Sequence, residues 1–253
     1  MKPKRLRPLR RVLLLGAVGA LVAWGILAPV TTRQGVNFQV ASHRIPFYVK
    51  AVDFLDRHSH YQLLAEQITH GLRSDRERAL AVFQWTRQHV QPTPRGWPIV
   101  DDHVWHIIIR GYGVEDQMAD VFTTLCAYAG VAAYWRYVRH PQTRASLAVS
   151  YVKVGSRWAV IDMRRGIIFQ DARGTWLTPE QLAADPALSQ VADRTRLLKA
   201  LPYPDYFANP EFVAPPPPYP LRAEQQMPWP RLVFELRRAF HLTKKASAAV
   251  VPP

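Results

Sequence analysis

The residues best suited to chemistry lie between positions 101 and 116, where polar groups interrupt a mostly apolar stretch. His103 and His106 are three residues apart, so one helical turn would place them on the same side. Glu115 or Asp116 could then supply a carboxylate to an acid/base or metal site. No longer ligand-spacing motif accompanies them, and we predict neither a metal nor a cofactor. The full candidate set is Asp101, Asp102, His103, His106, Tyr112, Glu115 and Asp116.

The same segment also has a purely structural interpretation. Asp101 or Asp102 can cap the turn that follows them, and Glu115 falls at the start of a helix. The helix dipole favours an anion there by about 0.3 to 1 kcal/mol. That dipole is expected to keep Glu115 ionised and weakly basic, and therefore a poor general acid at neutral pH.

A central helix is predicted directly after this cluster. Apolar residues recur at three- and four-residue spacing from Met118 up to Gly130, which is typical of a buried helix with a glycine stop. Cys126, the single cysteine, lies in this apolar stripe and three helical turns beyond Glu115. We interpret it as a packing residue, because burial in an apolar site raises the pKa of a thiol.

Helices precede this element and strands follow it. Ser74 and Glu77 form a capping box that predicts a helix from Asp75 to Val90, and an earlier helical stretch ends at Gly71. After Gly130 the period changes to short β-rich runs: AAYWRYV, SLAVSYVKV, RWAVIDM and GIIFQD. Helices first and an antiparallel sheet second indicate an α+β fold.

This order of elements resembles the transglutaminase-like domain of bacterial proteins, which shares the papain-like thiol-enzyme arrangement. The resemblance covers roughly residues 73–171. That family carries a cysteine at the start of the central helix, a histidine on the next strand and an aspartate on the strand after. The resemblance is anchored on Gly113, Ala119, Phe122, Leu125 and Gly130, and it puts Glu115 in the place of the cysteine.

The histidine position of the family is also altered. It falls on Ser146, or on Leu147 after a one-residue slip, and only Asp162 matches the family's pattern. A thiol enzyme needs a thiolate to attack a carbonyl and an imidazole to return the proton, and Glu115 and Ser146 supply neither. Asp162 is then expected to act as a turn residue at a strand end. We further expect Glu115 to pair with Arg110, His103 or His106.

The N-terminal region predicts a membrane anchor. Six basic residues occur before residue 12, and the 19 residues from Val12 to Val30 carry no charge, which is about enough to cross a bilayer. The basic side is expected to stay in the cytoplasm, which places the remaining chain in the periplasm or outside the cell. Beyond residue 30 there are 27 basic and 19 acidic residues, a surplus that suits an anionic neighbour. No nucleic-acid motif is present, and we expect no nucleic-acid partner.

We divide the chain into a basic segment (1–11), an anchor (12–30), a helical lead-in (31–72), a transglutaminase-like domain (73–200) and a proline-rich tail (201–253). Twelve of the 22 prolines lie in the tail, and APPPPYP is expected to be extended and to form no core. RLVFELRRAFHL is predicted to form a short amphipathic helix that lies on the domain or on the membrane.

Two functions remain open. The first is a non-catalytic binding or scaffold protein whose altered groove holds a protein, peptide or glycan, and the resemblance implies a role in envelope polysaccharide assembly. The second is a hydrolase or acyltransferase with a rebuilt acid/base or metal site around Glu115, Asp116, His103 and His106. The loss of both reactive residues favours the first.

Overall fold

The chain folds into two compact units, residues 1–57 and 58–253. The computed structural model describes residues 6–36, 39–100, 103–143, 145–193 and 201–240. Helix α1 (Leu6–Leu27) opens the first unit. It is followed by the antiparallel strands β1 (Pro29–Val36) and β2 (Gln39–Pro46), whose register pairs Pro29 with Pro46. This hairpin was not predicted, and it occupies part of the segment 31–72 predicted as a helical lead-in.

The membrane anchor predicted at residues 12–30 is not confirmed. Across the described part of the chain, no helix combines the length and the apolar character that a membrane crossing requires. Helix α1 also stops before the predicted span does, because Pro29 and Val30 already belong to β1.

Three helices lead up to the centre of the second unit. They are α2 (Phe47–Thr69), which begins in the first unit, α3 (Asp75–His89) and α4 (Val104–Arg110). The predicted capping box of α3 is confirmed: Ser74 Oγ accepts from the backbone N–H of Glu77 at 3.2 Å, and Glu77 Oε2 accepts from that of Ser74 at 3.0 Å. The short strands β3 (Gln91–Pro92) and β4 (Tyr112–Gly113) pair in parallel on either side of α4.

The central helix α5 (Glu115–Tyr128) packs on an antiparallel sheet of four strands. The strands are β5 (Ala133–Arg139), β6 (Ser146–Val154), β7 (Arg157–Asp162) and β8 (Ile167–Ile168), in that spatial order. Residues 117–127 of α5 are all buried. The α+β class is confirmed, and so are the central helix and the order of strands.

Five elements make up the described C-terminal part of the chain. These are α6 (Pro179–Ala184), α7 (Ala187–Asp193), α8 (Tyr203–Phe207), a 3-10 turn (Glu224–Gln226) and α9 (Pro228–Ala239). The predicted amphipathic helix therefore forms. Besides a first core around α5, a second core lies on the sheet with residues of α6, α7 and α8. Residues 215–219 of the stretch predicted to form no core are exposed, but Pro220 and the aromatic residues between positions 203 and 212 are buried. The aromatic side chains join the second core, where the cluster includes Tyr203, Tyr206, Phe207, Phe212 and Leu221.

Candidate functional site

The backbone immediately before Glu115 is tightly packed. Gly111 ends α4 in the left-handed region, with φ of 72°, and turns the chain into β4. A Cβ added at Gly113 would lie 3.1 Å from Gln117 Cβ and 3.2 Å from Ile107 Cγ2, so a larger residue would displace its neighbours. The glycine pair thus fixes the point at which α5 begins, and with it the position of Glu115.

The first turn of α5 is held by Gln117 rather than by a capping side chain at Val114. Gln117 Oε1 accepts from the backbone N–H of Val114 at 3.2 Å and from Arg110 Nη2 at 2.8 Å. Its Nε2 donates to the carbonyl of Val100 at 3.0 Å. The predicted pairing of Glu115 with Arg110 was therefore wrong, because Arg110 supports the helix start through Gln117.

The Glu115 carboxylate bonds to residues distant in sequence. Its Oε1 accepts from Arg165 Nη1 at 3.1 Å and from the backbone N–H of Ala148 at 3.1 Å. Pairing with a base is confirmed, although the base is neither His103 nor His106. Ala148 lies on β6, just beyond Ser146 and Leu147, the positions to which the resemblance assigned the family's histidine.

Asp162, at the end of β7, is the second carboxylate of the site, and its side chain is 1% exposed. Its Oδ1 accepts from the backbone N–H of Arg165 at 2.9 Å, which is the predicted role at a strand-end turn. Its Oδ2 accepts from Arg165 Nη1 at 2.9 Å and from the hydroxyl of Tyr203 at 2.8 Å. Arg165 therefore bridges Asp162 and Glu115, the residues placed at the family's acid and thiol positions.

The turn that carries Arg165 is itself held from α3. Arg87 Nη1 donates to the carbonyls of Met163 at 3.3 Å and Arg164 at 3.0 Å. Gly166 has φ of 69°, and a Cβ there would lie 2.6 Å from Arg87 Nε. Since other residues are strained at this φ, and a side chain here would also displace the Arg87 guanidinium, the turn favours glycine.

The network contains two carboxylates and one guanidinium. Burial raises the pKa of Glu115, the negative charge of Asp162 raises it further, and Arg165 opposes both. Burial acts to lower the pKa of Arg165, but the charges of Asp162 and Glu115 outweigh it and the pKa is raised. The pKa of Glu115 is therefore raised at this helix start, where the helix dipole alone would favour a lower one, because burial and the charge of Asp162 outweigh the contacts with Arg165 and Ala148.

The histidine pair occupies the start of α4. His103 Nδ1 accepts from the backbone N–H of Trp105 at 3.4 Å, and the rings of His103 and His106 lie 5.3 Å apart. Asp101 and Asp102 lie outside the described residues. A side-chain cap of α4 comes from His103, whereas an acid at position 101 or 102 was predicted in this role.

Tyr112 and Asp116 make local contacts of their own. The Tyr112 ring meets Trp97 edge-on at 5.2 Å, and Asp116 Oδ1 accepts from the backbone N–H of Gln117 at 2.9 Å. Neither is a hydrogen-bond partner of Glu115. Within the ranges that the structure describes, no group of three or more potential metal ligands occurs.

Cys126 is fully buried in the first core, which it forms with Met118, Phe122, Val152 and their neighbours. Burial raises the pKa of its thiol well above the usual value. This confirms its interpretation as a packing residue, because a protonated thiol without solvent access is a poor nucleophile.

Two members of the network were missed from the sequence. Arg165 lies in IDMRRG, where a basic turn directly follows the predicted strand-end aspartate. Tyr203 lies in YPDYF, an aromatic cluster in a segment that the proline content marked as a tail. Both signals are weak, because only the fold brings these residues to Asp162.

Residues 62–163 match the family model of the transglutaminase-like superfamily, which confirms the resemblance for this domain. No curated protein matches the sequence. Similar solved structures include a proposed cysteine protease from Cytophaga hutchinsonii (18% identity, 47% of this chain and 40% of that chain, TM-score 0.37). A second is a proposed protease from Parabacteroides distasonis (8% identity, 53% of this chain and 35% of that chain, TM-score 0.35). A third is a TGase (15% identity, 57% of this chain and 46% of that chain, TM-score 0.31). The chain spans less than half the length of each of these three.

Proposed function

We propose that the transglutaminase-like domain of this protein is a non-catalytic binding or scaffold domain. The observation that carries the proposal is the position of Arg165, whose guanidinium lies between Glu115 and Asp162. In a thiol enzyme an imidazole exchanges a proton with the cysteine and is oriented by the aspartate, and the resemblance assigns the cysteine and aspartate positions to Glu115 and Asp162. A guanidinium stays protonated at all physiological pH values and therefore provides no base.

The contacts of Glu115 support the same conclusion. Its Oε1 already accepts two hydrogen bonds, from Arg165 and from Ala148, and a carboxylate is a weak nucleophile toward amides. Cys126 offers no substitute, because its side chain is buried. We infer that the network holds α5, β6 and the turn after β7 in one arrangement and leaves the domain surface for binding.

We further propose that the domain works outside the cytoplasm, with residues 12–30 as its membrane anchor and a protein, peptide or glycan as its ligand. The anchor is supported by the uncharged run behind six basic residues. The role in envelope polysaccharide assembly is supported by the resemblance to transglutaminase-like proteins of that context.

One observation favours an enzyme with a rebuilt site as the alternative. The raised pKa of Glu115 makes its carboxyl group more ready to hold a proton, which is what a general acid requires. In such an enzyme Glu115 would be the acid, with Asp116, His103 and His106 nearby in sequence.

The test measures peptide hydrolysis and amine incorporation by the full chain and by Glu115→Gln, with Asp116→Asn as the matched control at the next residue. We expect no turnover above that of the heat-denatured protein. Turnover by the wild type that is lost in Glu115→Gln but kept in Asp116→Asn, with both variants folded, would replace the proposal by the rebuilt-site enzyme.

A further inference from the structure

A cavity of about 230 Å³ lies at the turn between β6 and β7, within the unit of residues 58–253. None of Glu115, Asp162 and Arg165 lines it. Among the described residues that form its wall there is no carboxylate. Its polar and aromatic groups are three arginines, two tryptophans and a threonine: Arg76, Arg157, Arg173, Trp158, Trp176 and Thr175.

Arg76 is fixed in the wall by two contacts. Its Nη2 donates to the carbonyl of Gly174 at 2.8 Å, and its guanidinium lies 5.7 Å from the ring centre of Trp176. Trp176 is only 7% exposed. Because the Arg76 side chain is already ordered, a ligand that meets it loses little side-chain entropy on binding.

The loop that carries Arg173 and Thr175 is also preorganised. Asp171 Oδ1 accepts from the backbone N–H groups of Arg173 at 2.9 Å and Thr175 at 2.8 Å. Gly174 adopts φ of 76° between them, which allows its carbonyl to reach Arg76. The charge of Asp171 partly offsets that of Arg173, but its carboxylate is engaged in holding the loop and does not line the cavity.

Arg157 and Trp158 enter from the first positions of β7. Arg157 and Arg173 are both exposed, so their guanidinium groups are accessible to a ligand. Three guanidinium groups around one small cavity create a positive potential that attracts an anion. Planar guanidinium groups match the geometry of carboxylate and phosphate, with two parallel hydrogen bonds per group.

We propose that this cavity binds one anionic saccharide unit, a sugar ring that bears a carboxylate or a phosphate. Arg157 and Arg173 bind the anionic group, Trp158 offers an apolar surface to the ring, and the Thr175 hydroxyl bonds to a ring hydroxyl. The volume lies just below the usual range of small-molecule pockets, about 300 to 1,000 Å³, which fits a single ring at the end or along the edge of a larger ligand. The site is independent of whether the domain catalyses a reaction.

Isothermal titration of the full chain with five probes tests this inference. Glucuronate and glucose 6-phosphate carry the two anionic groups on a ring, glucose is the neutral ring, and acetate with inorganic phosphate represents the anion alone. We expect one or both anionic sugars to bind, and the one that binds more tightly identifies the anionic group. We expect glucose and the free anions to bind at least about tenfold more weakly, since glucose lacks the anionic group and the free anions lack the sugar ring.

Variants then locate the site. Arg157→Ala and Arg173→Ala are each expected to weaken anionic-sugar binding about tenfold, while Arg139→Ala, an exposed arginine of β5 outside the cavity, leaves it unchanged. Both substitutions are at exposed positions, and melting curves check that the variants remain folded. Three results would overturn the inference: no binding of either anionic sugar, equal binding of glucose or the free anions, or unchanged binding in the Arg157→Ala/Arg173→Ala double variant.

Discussion

Arg165 Nη1 lies 3.1 Å from Glu115 Oε1, so the turn after β7 is tied to the first residue of α5. The same nitrogen lies 2.9 Å from Asp162 Oδ2. One guanidinium therefore holds a helix start, a strand end and the turn between two strands. Under the proposed function this arrangement is structural, and it lies at the positions to which the resemblance assigns the family's thiol chemistry.

Removing the guanidinium is expected to destabilise the fold strongly. Arg165→Met leaves Asp162, whose side chain is 1% exposed, next to Glu115 without a compensating cation. We expect a loss of about 3 kcal/mol in the free energy of unfolding, the usual cost of breaking a buried pair from one side. Urea unfolding measures it, and Arg165→Lys should recover part of the loss.

The neighbouring half-buried arginine provides the control for this substitution. Arg164→Met should cost much less, because Arg164 is held to Arg87 through its backbone carbonyl and not through its side chain. Equal losses for Arg164→Met and Arg165→Met would mean that the ion network contributes nothing beyond packing in this turn.

Glu115→Gln is expected to change how stability depends on pH. The pKa of Glu115 is raised above its usual value of 4.5 in the folded chain. The Glu115 carboxyl group therefore makes its full contribution to the free energy of unfolding below pH 4.5. This favourable contribution is lost as pH rises through the folded pKa. The unfolding free energy of Glu115→Gln relative to the wild type should therefore rise with pH from below 4.5 toward neutrality. Urea titrations at several pH values measure this difference in unfolding free energy, with a substitution at an exposed residue, Glu211→Gln, as the control. A difference that falls with pH would contradict a raised pKa for Glu115.

Tyr203→Phe tests whether the proline-rich segment belongs to the domain. The substitution keeps the ring in the second core but removes the hydroxyl that donates to Asp162 Oδ2. We expect a loss of about 1 to 2 kcal/mol, because a buried carboxylate oxygen loses a hydrogen bond. Tyr219→Phe, at an exposed tyrosine of the same segment, should stay within about 0.5 kcal/mol of the wild type. If the two variants unfold alike, Tyr203 does not support the site.

The N-terminal prediction concerns topology. The six basic residues before the run from Val12 to Val30 predict a cytoplasmic N-terminus and an external domain. Paired reporters fused after residue 60, one active only in the cytoplasm and one active only outside it, should show activity for the second alone. A cytoplasmic signal, or a mature chain that begins near residue 29, would rule out the predicted anchor.

Local patterns in the sequence predicted most of the elements but only part of the site. Two helices could be predicted because their signals involve residues close together in sequence. These signals are the capping box at Ser74 and Glu77 and the apolar spacing after Met118. The hydrogen-bond network around Glu115 and Asp162 could not be predicted in this way, because Arg165 lies 50 residues from Glu115 and Tyr203 lies 41 residues from Asp162. Arg110 lies near Glu115 in sequence and was therefore a predicted partner, but in the structure its side chain donates to Gln117.

The aromatic residues of the C-terminal segment illustrate a second limit. Prolines identify chain without regular structure, but they do not show whether neighbouring side chains are buried. Tyr203, Phe207 and Phe212 are each at most 1% exposed. They are buried because they pack against the sheet, where Tyr151 and Val160 belong to the same second core. No periodicity within the segment itself could reveal that.

Glu115→Cys separates the two requirements of thiol chemistry. A cysteine at the first residue of α5 takes a position where the Glu115 side chain is 25% exposed, so a reagent can reach its thiol, whereas Cys126 is fully buried. We therefore expect the new thiol to react quickly with iodoacetamide, while the buried Cys126 of the same chain reacts slowly and serves as the internal control. We nevertheless expect no peptide hydrolysis or amine incorporation, because β6 presents the backbone of Ala148 rather than an imidazole to this position. Turnover by Glu115→Cys would show that a base is already in place, and the domain would then be an enzyme scaffold that lacks only its nucleophile.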